Sequence, residues 1–199
     1  MTKTYKEIRS NLSTGDLVLF SGESFLSQVI QRFSGSKHSH IGMAIVSEEW
    51  DSVMLWESTT LSNIKNASGQ RTKGVQLVSL STRLQTYDGQ VAVRHISPKA
   101  TPSDCRVLRS LRRELQGRPY EESKIDLALA AMPWLPFSYG EEDLSSCFCS
   151  EIVAEGYQRV KWIGDERPSD RYDPGDFGEG GNVKLLDGRK LSDEIPIVW

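Results

Sequence analysis

Residues 37–46 read KHSHIGMAIV, and the architecture expected for the chain can be built outward from this stretch. In an extended chain successive side chains lie on opposite faces, so the large apolar residues of IGMAI share one face. His40 shares the opposite face with Gly42 and Ala44, which are small. The pattern predicts a strand over residues 40–46 whose second face has room around His40 for a ligand or an approaching helix.

A second strand is predicted at residues 53–58, and the polar residues 47–52 between the two strands indicate an antiparallel hairpin. If the turn has an even length, paired positions sum to an odd number, and Glu57 lies on the same face as His40. Such cross-strand neighbours are about 4.5–8 Å apart, which lets a carboxylate orient an imidazole. An odd-length turn or a bulge would break this register and leave Glu57 as a solvated charge at a strand end.

The other apolar patterns indicate a mixed α+β chain in which most strands precede most helices. Further strands are predicted at residues 17–20, 75–78 and 91–94. Helices are predicted at residues 4–12, 24–33, 123–132 and 149–160. One more helix is predicted to begin at Thr101 or Ser103 and to end at Gly117. Residues 183–186, followed by an Asp187-Gly188 turn, predict a small C-terminal hairpin.

The composition is that of a folded, water-soluble protein. The 199 residues include 24 Lys and Arg against 27 Asp and Glu, and the net charge of -3 argues against nucleic acid as a partner. No apolar run approaches the roughly 20 residues of a membrane span, and the N-terminus lacks the apolar core of a signal peptide. We therefore expect a cytoplasmic protein with one domain over residues 1–199, in which residues 1–12 and 178–199 are terminal extensions.

Cys149 is the strongest chemical feature, because it opens a predicted helix. Free amide N–H groups and the helix dipole stabilise a thiolate there, and a thiolate is a nucleophile. The alternative is a buried cysteine packed as a small apolar residue, and position alone does not decide between the two. Cys147 is predicted to be structural, and Cys105 is predicted to lie in the core. Three cysteines are too few for a disulfide framework.

A thiolate nucleophile requires a base, and the chain has three histidines. His40 is the first candidate, because its small neighbours leave space on its face of the strand. His38 has the same parity but lies nearer the preceding loop, so it ranks second. His95 follows a strand and has no comparable setting.

Four segments, in this chain order, resemble the circularly permuted NlpC-like branch of the papain-fold cysteine hydrolases. They are GDLVL at 15–19, SHIGM at 39–43, LWES at 55–58 and CSEIV at 149–153. The histidine strand precedes the cysteine helix, as in the permuted group, which includes relatives of lecithin–retinol acyltransferase. The resemblance spans roughly residues 13–177, and GRPY at 117–120 and YDPGDF at 172–177 are weaker marks of it.

The resemblance implies that Cys149 is the nucleophile, His40 the general base and acid, and Glu57 the group that orients His40. It implies a permuted papain-like fold, in which an antiparallel sheet forming a partial barrel packs against a helical lobe with the nucleophile helix. The backbone N–H of Cys149 would be an oxyanion donor. Tyr120 and Trp134 are candidate substrate contacts.

The expected reaction is cleavage of an amide, either a peptide or an isopeptide bond, through a thioester. The lack of a signal peptide argues against a cell-wall substrate. One alternative is a lipid-directed acyltransferase or thioesterase, with Trp134, Leu135 and Phe137 as an apolar lip that contacts a membrane peripherally. A non-catalytic binding module is a second alternative. A zinc site at Cys147, Cys149 and His40 lacks the usual ligand spacing, so we expect no metal and no cofactor.

Overall fold

The computed structural model describes residues 1–22, 36–47, 49, 51–59, 61–118 and 146–199. The helices predicted at residues 24–33 and 123–132 lie outside these residues. No helix within the described ranges is long and apolar enough to cross a membrane.

Most strands belong to one seven-stranded sheet in the order β1-β9-β6-β2-β3-β4-β5. The strands are β1 (Lys3–Thr4), β2 (Leu17–Gly22), β3 (His40–Ser47), β4 (Ser52–Thr59), β5 (Gly74–Ser79), β6 (Gly89–Arg94), β7 (Ile96–Ser97), β8 (Lys190–Leu191) and β9 (Ile195–Val198). Neighbours in the large sheet are antiparallel except β1 and β9, which are parallel. The sheet is open, with β1 and β5 as its edges, so in the described residues it is not a closed barrel.

Four helices accompany the sheet in the described residues: α1 (Tyr5–Ile8), α2 (Leu80–Thr86), α3 (Pro102–Leu115) and α4 (Ser146–Arg159). The predicted start of α3 is confirmed, because the Thr101 side chain accepts from the Asp104 N–H and completes a capping box. Mixed α+β architecture is likewise confirmed, and all five predicted strands of the sheet core are present.

The predicted C-terminal hairpin is wrong, although its turn exists. Asp187 (φ 53°) and Gly188 (φ 68°) are both left-handed, as a tight turn requires. The segment before the turn does not pair with the segment after it: Leu185 bridges Ile163, and β8 pairs with β7. Local turn chemistry identified the reversal, but strands distant in sequence supply the hydrogen-bonding partners.

The sheet is buried on both faces, which explains the unbroken apolar run LVLF at the start of β2. One face, with Leu19, Ile41 and Met43, belongs to the core cluster that includes residues of α3 and α4. The opposite face, with Phe20 and Ala44, belongs to the cluster that includes residues of α1 and α2. By register, His40 lies on this second face.

The N-terminal part of α4 is linked to the segment before β3 through residues 172–175. Ser150 donates from Oγ to the Tyr172 carbonyl, and Gly175 lies against Ser36, four residues before β3 begins. Further along α4, Gly156 lies against Met43 within β3.

Gly15 combines a left-handed backbone with close packing, and we expect Gly15→Ala to lower the free energy of unfolding by about 2–4 kcal/mol. Its φ is 97°, and an added β-carbon would lie 2.5 Å from the Trp162 ring. Gly69 is the matched control, because its φ is 78° and nothing lies within 4 Å of an added β-carbon. Urea denaturation should show a loss of about 1–2 kcal/mol for Gly69→Ala. Equal losses in both variants would contradict the packing argument.

Candidate functional site

The predicted pairing of His40 and Glu57 is present. Glu57 lies opposite Gly42, so paired positions on β3 and β4 sum to an odd number, and His40 is the diagonal neighbour of Glu57 on the same face. The His40 Nε2 and the Glu57 Oε2 are 3.0 Å apart. The hairpin register that the sequence predicted is therefore confirmed, and it brings the imidazole and the carboxylate into contact.

Two further side chains complete the surroundings of Glu57, which is 0% exposed. Gln76, its cross-strand neighbour on β5, donates from Nε2 to Glu57 Oε1 over 3.0 Å. Arg83, on α2, also donates to Oε1 and is itself buried. A second guanidinium nitrogen of Arg83 donates to Asn63 Oδ1 over 3.1 Å. The carboxylate thus uses one oxygen for His40 and the other for Gln76 and Arg83.

These contacts keep Glu57 ionised. Burial raises the pKa of its carboxyl, but the Arg83 charge and the hydrogen bond from His40 outweigh burial and lower the pKa to about 2. An ionised carboxylate only accepts hydrogen bonds, so the neutral His40 ring carries its proton on Nε2. The lone pair of the neutral ring is therefore on Nδ1, a buried atom that has no hydrogen-bond partner among the described residues.

His38, the second-ranked candidate, has both ring nitrogens engaged. Its Nδ1 is 3.1 Å from Ser21 Oγ, and its Nε2 is 2.8 Å from Glu194 Oε1. Burial lowers the pKa of the His38 imidazole, and the hydrogen bond and charge of Glu194 oppose this effect without cancelling it. Burial raises the pKa of Glu194, but the Glu179 N–H and Lys37 outweigh it and lower the pKa to about 2. This pair ties the start of β3 to the C-terminal segment.

His95 forms a third histidine–carboxylate contact. Its Nδ1 is 2.7 Å from Asp16 Oδ2, and Asp16 Oδ1 accepts from the Ile96 N–H over 3.0 Å. Asp16 is buried, whereas the His95 side chain is 27% exposed. The contact joins the loop before β2 to the junction between β6 and β7.

Cys149 lies on α4 and is 0% exposed. It belongs to the core cluster of Ile41 and Met43, which is the face of β3 opposite to that of His40. The structure brings His40 and Glu57 together, whereas Cys149 makes no hydrogen bond to His40 Nδ1.

The start of α4 differs from the prediction in one chemical respect. Because the helix begins at Ser146, Cys149 is its fourth residue and ends the first turn. The N–H groups without an intrahelical acceptor belong to the residues before position 149, so the Cys149 N–H is not among the free donors that were expected. The helix dipole still acts on the Cys149 thiol, since its effect extends over the first turn.

Several predicted residues lie outside the described residues: Tyr120, Trp134, Leu135, Phe137 and the side chain of Cys147. Cys105, which was predicted to lie in the core, is only partly buried.

Sequence reasoning missed Arg83, Gln76 and Asn63. Gln76 carried a signal, because it is the lone polar residue in the strand pattern VQLV. Nothing comparable marks Arg83, since α2 is short and directly follows β5.

A cleft of about 500 Å³ lies beside the segment that precedes β3. Its walls come from residues 36–38 and from the glycine-rich segment 173–182. His38, which lines it, is two residues from His40, or roughly 7 Å along an extended chain. No group of three or more His, Cys, Asp or Glu side chains in the described part of the chain could hold a metal ion.

Comparison with known proteins shows no family for this chain. No family model matches it, and no curated protein matches it. Among solved structures it is similar to the crystal structure of the metalloprotein yiiX from Escherichia coli O157:H7, DUF1105, with 21% sequence identity and a TM-score of 0.48. The match covers 73% of this chain and 64% of that chain, so this chain matches less than two thirds of that protein's length.

Proposed function

We propose that the protein is a cysteine-dependent hydrolase that cleaves an amide bond through a thioester. Cys149 is the nucleophile, His40 the general base and acid, and Glu57 the residue that orients His40. The observation that carries the proposal is the state of the His40 ring: Nε2 is held by an ionised carboxylate, while Nδ1 is buried and has no partner in the described residues. A nitrogen in that state is suited to take a proton from a thiol.

The other two histidines fit this role less well. Both nitrogens of His38 are already engaged, and His95 holds Asp16 at the far end of β2. The contacts therefore favour His40 as the base.

The reaction follows from these groups. His40 Nδ1 takes the proton of the Cys149 thiol as Sγ attacks the carbonyl carbon, and the protonated ring then gives that proton to the leaving nitrogen as the C–N bond breaks. A thioester remains on Cys149. His40 next removes a proton from a water molecule that attacks the thioester carbon, and the protonated ring returns that proton to Sγ as the C–S bond breaks and the carboxylic acid is released.

The proposal requires thiol and imidazole to meet around the end of β3, because the two side chains start on opposite faces of that strand. His40 is the first residue of β3, and Ser39 before it still donates from its backbone N–H to the Phe20 carbonyl, so the two side chains have to meet beyond this pairing. The cleft walled by residues 36–38 and 173–182 is polar, which favours a substrate with polar groups, such as a peptide, over a fatty acyl chain.

Alkylation by iodoacetamide at pH 7 tests the assignment, with peptide mapping by mass spectrometry. We expect Cys149 to react faster than Cys105, although Cys149 is the more buried of the two, and His40→Ala to slow the labelling of Cys149 at least about tenfold. Labelling of Cys149 that appears only after denaturation would identify it as a core residue and overturn the proposal.

A further inference from the structure

We propose that Arg83 is a positioning residue, which determines the nitrogen of His40 that carries the proton. The catalytic meaning of this inference rests on the proposed function, whereas the contacts that carry it do not. Arg83 touches no reacting atom, since its contacts are with Glu57 and Asn63.

The two oxygens of the Glu57 carboxylate face different neighbours. Oε2 faces His40, and Oε1 faces Gln76 and Arg83. Of these three neighbours, Gln76 is neutral, and Arg83 is the one whose positive charge does not depend on the protonation of an imidazole. Arg83 is therefore the group that compensates the negative charge of a carboxylate that is entirely out of solvent.

Without that compensation, burial would favour a protonated Glu57. A carboxylic acid donates a hydrogen bond, and the group facing it across 3.0 Å is His40 Nε2. The neutral ring would then accept at Nε2 and carry its own proton on Nδ1. In that tautomer Nδ1 has no lone pair with which to take a proton from Cys149.

The placement of Arg83 is itself supported. Helix α2 follows β5 directly, and the Ser79 side chain caps it by accepting from the Thr82 N–H. Asn63, from the segment after β4, accepts from the second arm of the guanidinium. The Arg83 guanidinium is thus held by Glu57 on β4 and by Asn63 in the segment after β4.

Nuclear magnetic resonance of ¹⁵N-labelled histidine tests the inference without any substrate, because the two tautomers of a neutral imidazole have distinct ¹⁵N shifts. At pH 8 we expect the Nε2–H tautomer of His40 in the wild type. In Arg83→Met we expect the ratio of Nε2–H to Nδ1–H to fall at least about tenfold. Arg113→Met, which removes an exposed charge on α3, should leave the ratio unchanged.

Two further measurements keep the test decisive if Arg83→Met does not fold. Arg83→Lys retains the charge and should retain the Nε2–H tautomer. In the wild type, the ¹³C shift of the Glu57 carboxyl should report an ionised group at pH 5, and a protonated Glu57 at that pH would overturn the inference.

The outcomes separate the two proposals. A folded Arg83→Met variant that keeps the Nε2–H tautomer overturns the role of Arg83, whatever Cys149 does. A tautomer change in that variant, together with full activity in Cys149→Ala, supports the role of Arg83 and overturns the proposed function.

Discussion

Replacement of Cys149 by alanine is expected to lower the rate of acyl transfer by about 10³-fold or more, because the nucleophile is removed. The rate is measured with p-nitrophenyl acetate and with a peptide p-nitroanilide. Intact-mass spectrometry gives a second readout: the wild type should gain the mass of the acyl group during turnover, and the variant should not. Circular dichroism should show the same fold, because the change removes a single sulfur atom.

Cys147→Ala and Cys105→Ala are the matched controls, and both should keep the wild-type rate. Activated acyl lipids form a parallel arm of the same experiment. An adduct on Cys149 from acyl lipids alone would replace the amide substrate by a lipid one. Full activity in Cys149→Ala would contradict the assignment of the nucleophile.

Glu57 variants should change both turnover and stability. Glu57→Gln keeps the shape of the side chain but cannot hold His40 in one tautomer as an anion does, so we expect kcat to fall about 10²–10⁴-fold with a smaller change in KM. Glu57→Ala should lower the free energy of unfolding by about 3–5 kcal/mol, because it leaves Arg83 buried without its counter-charge. Full turnover in Glu57→Gln would contradict the orienting role.

The lowered pKa of Glu57 predicts how the free energy of unfolding depends on pH. The pKa of Glu57 falls from an ordinary 4.5 to about 2 on folding, so the unfolded chain binds this proton first as the pH drops. The stabilisation is present in full above pH 4.5 and is lost as the pH falls towards 2. It amounts to about 3 kcal/mol.

Urea unfolding of the wild type and Glu57→Gln between pH 2 and pH 7 isolates this contribution. Glu194 also has a lowered pKa, but it is common to both proteins and cancels in the difference. Parallel stability curves for the two proteins would contradict the assignment of Glu57 as a buried anion.

Much of the site was predictable from local pattern. Alternation along β3 placed His40 beside Gly42 and Ala44, and the even length of the turn placed Glu57 on the same face. Both inferences depend on the period of two along a strand, which holds whatever the rest of the chain does. The helical pattern around Cys149 was similarly local, although the helix starts three residues before the predicted position.

Local pattern could not supply the partners that arrive from elsewhere in the chain. Arg83 reaches Glu57 from a short helix 26 residues further on, and Leu191 of β8 pairs with Ile96 of β7, 95 residues earlier in the chain. Local pattern also could not predict the side of the sheet on which α4 packs. Both faces of the sheet are apolar, and only the folded molecule decides which helices cover each face.

The amino-acid pattern alone was therefore sufficient for the mixed α+β class, the pairing of β3 with β4 and the contact between His40 and Glu57, because backbone periodicity and turn length govern them. The ionisation of Glu57 and the open nitrogen of His40 required the folded molecule. Both depend on burial and on a charge brought close by packing, and neither property belongs to any single stretch of the chain.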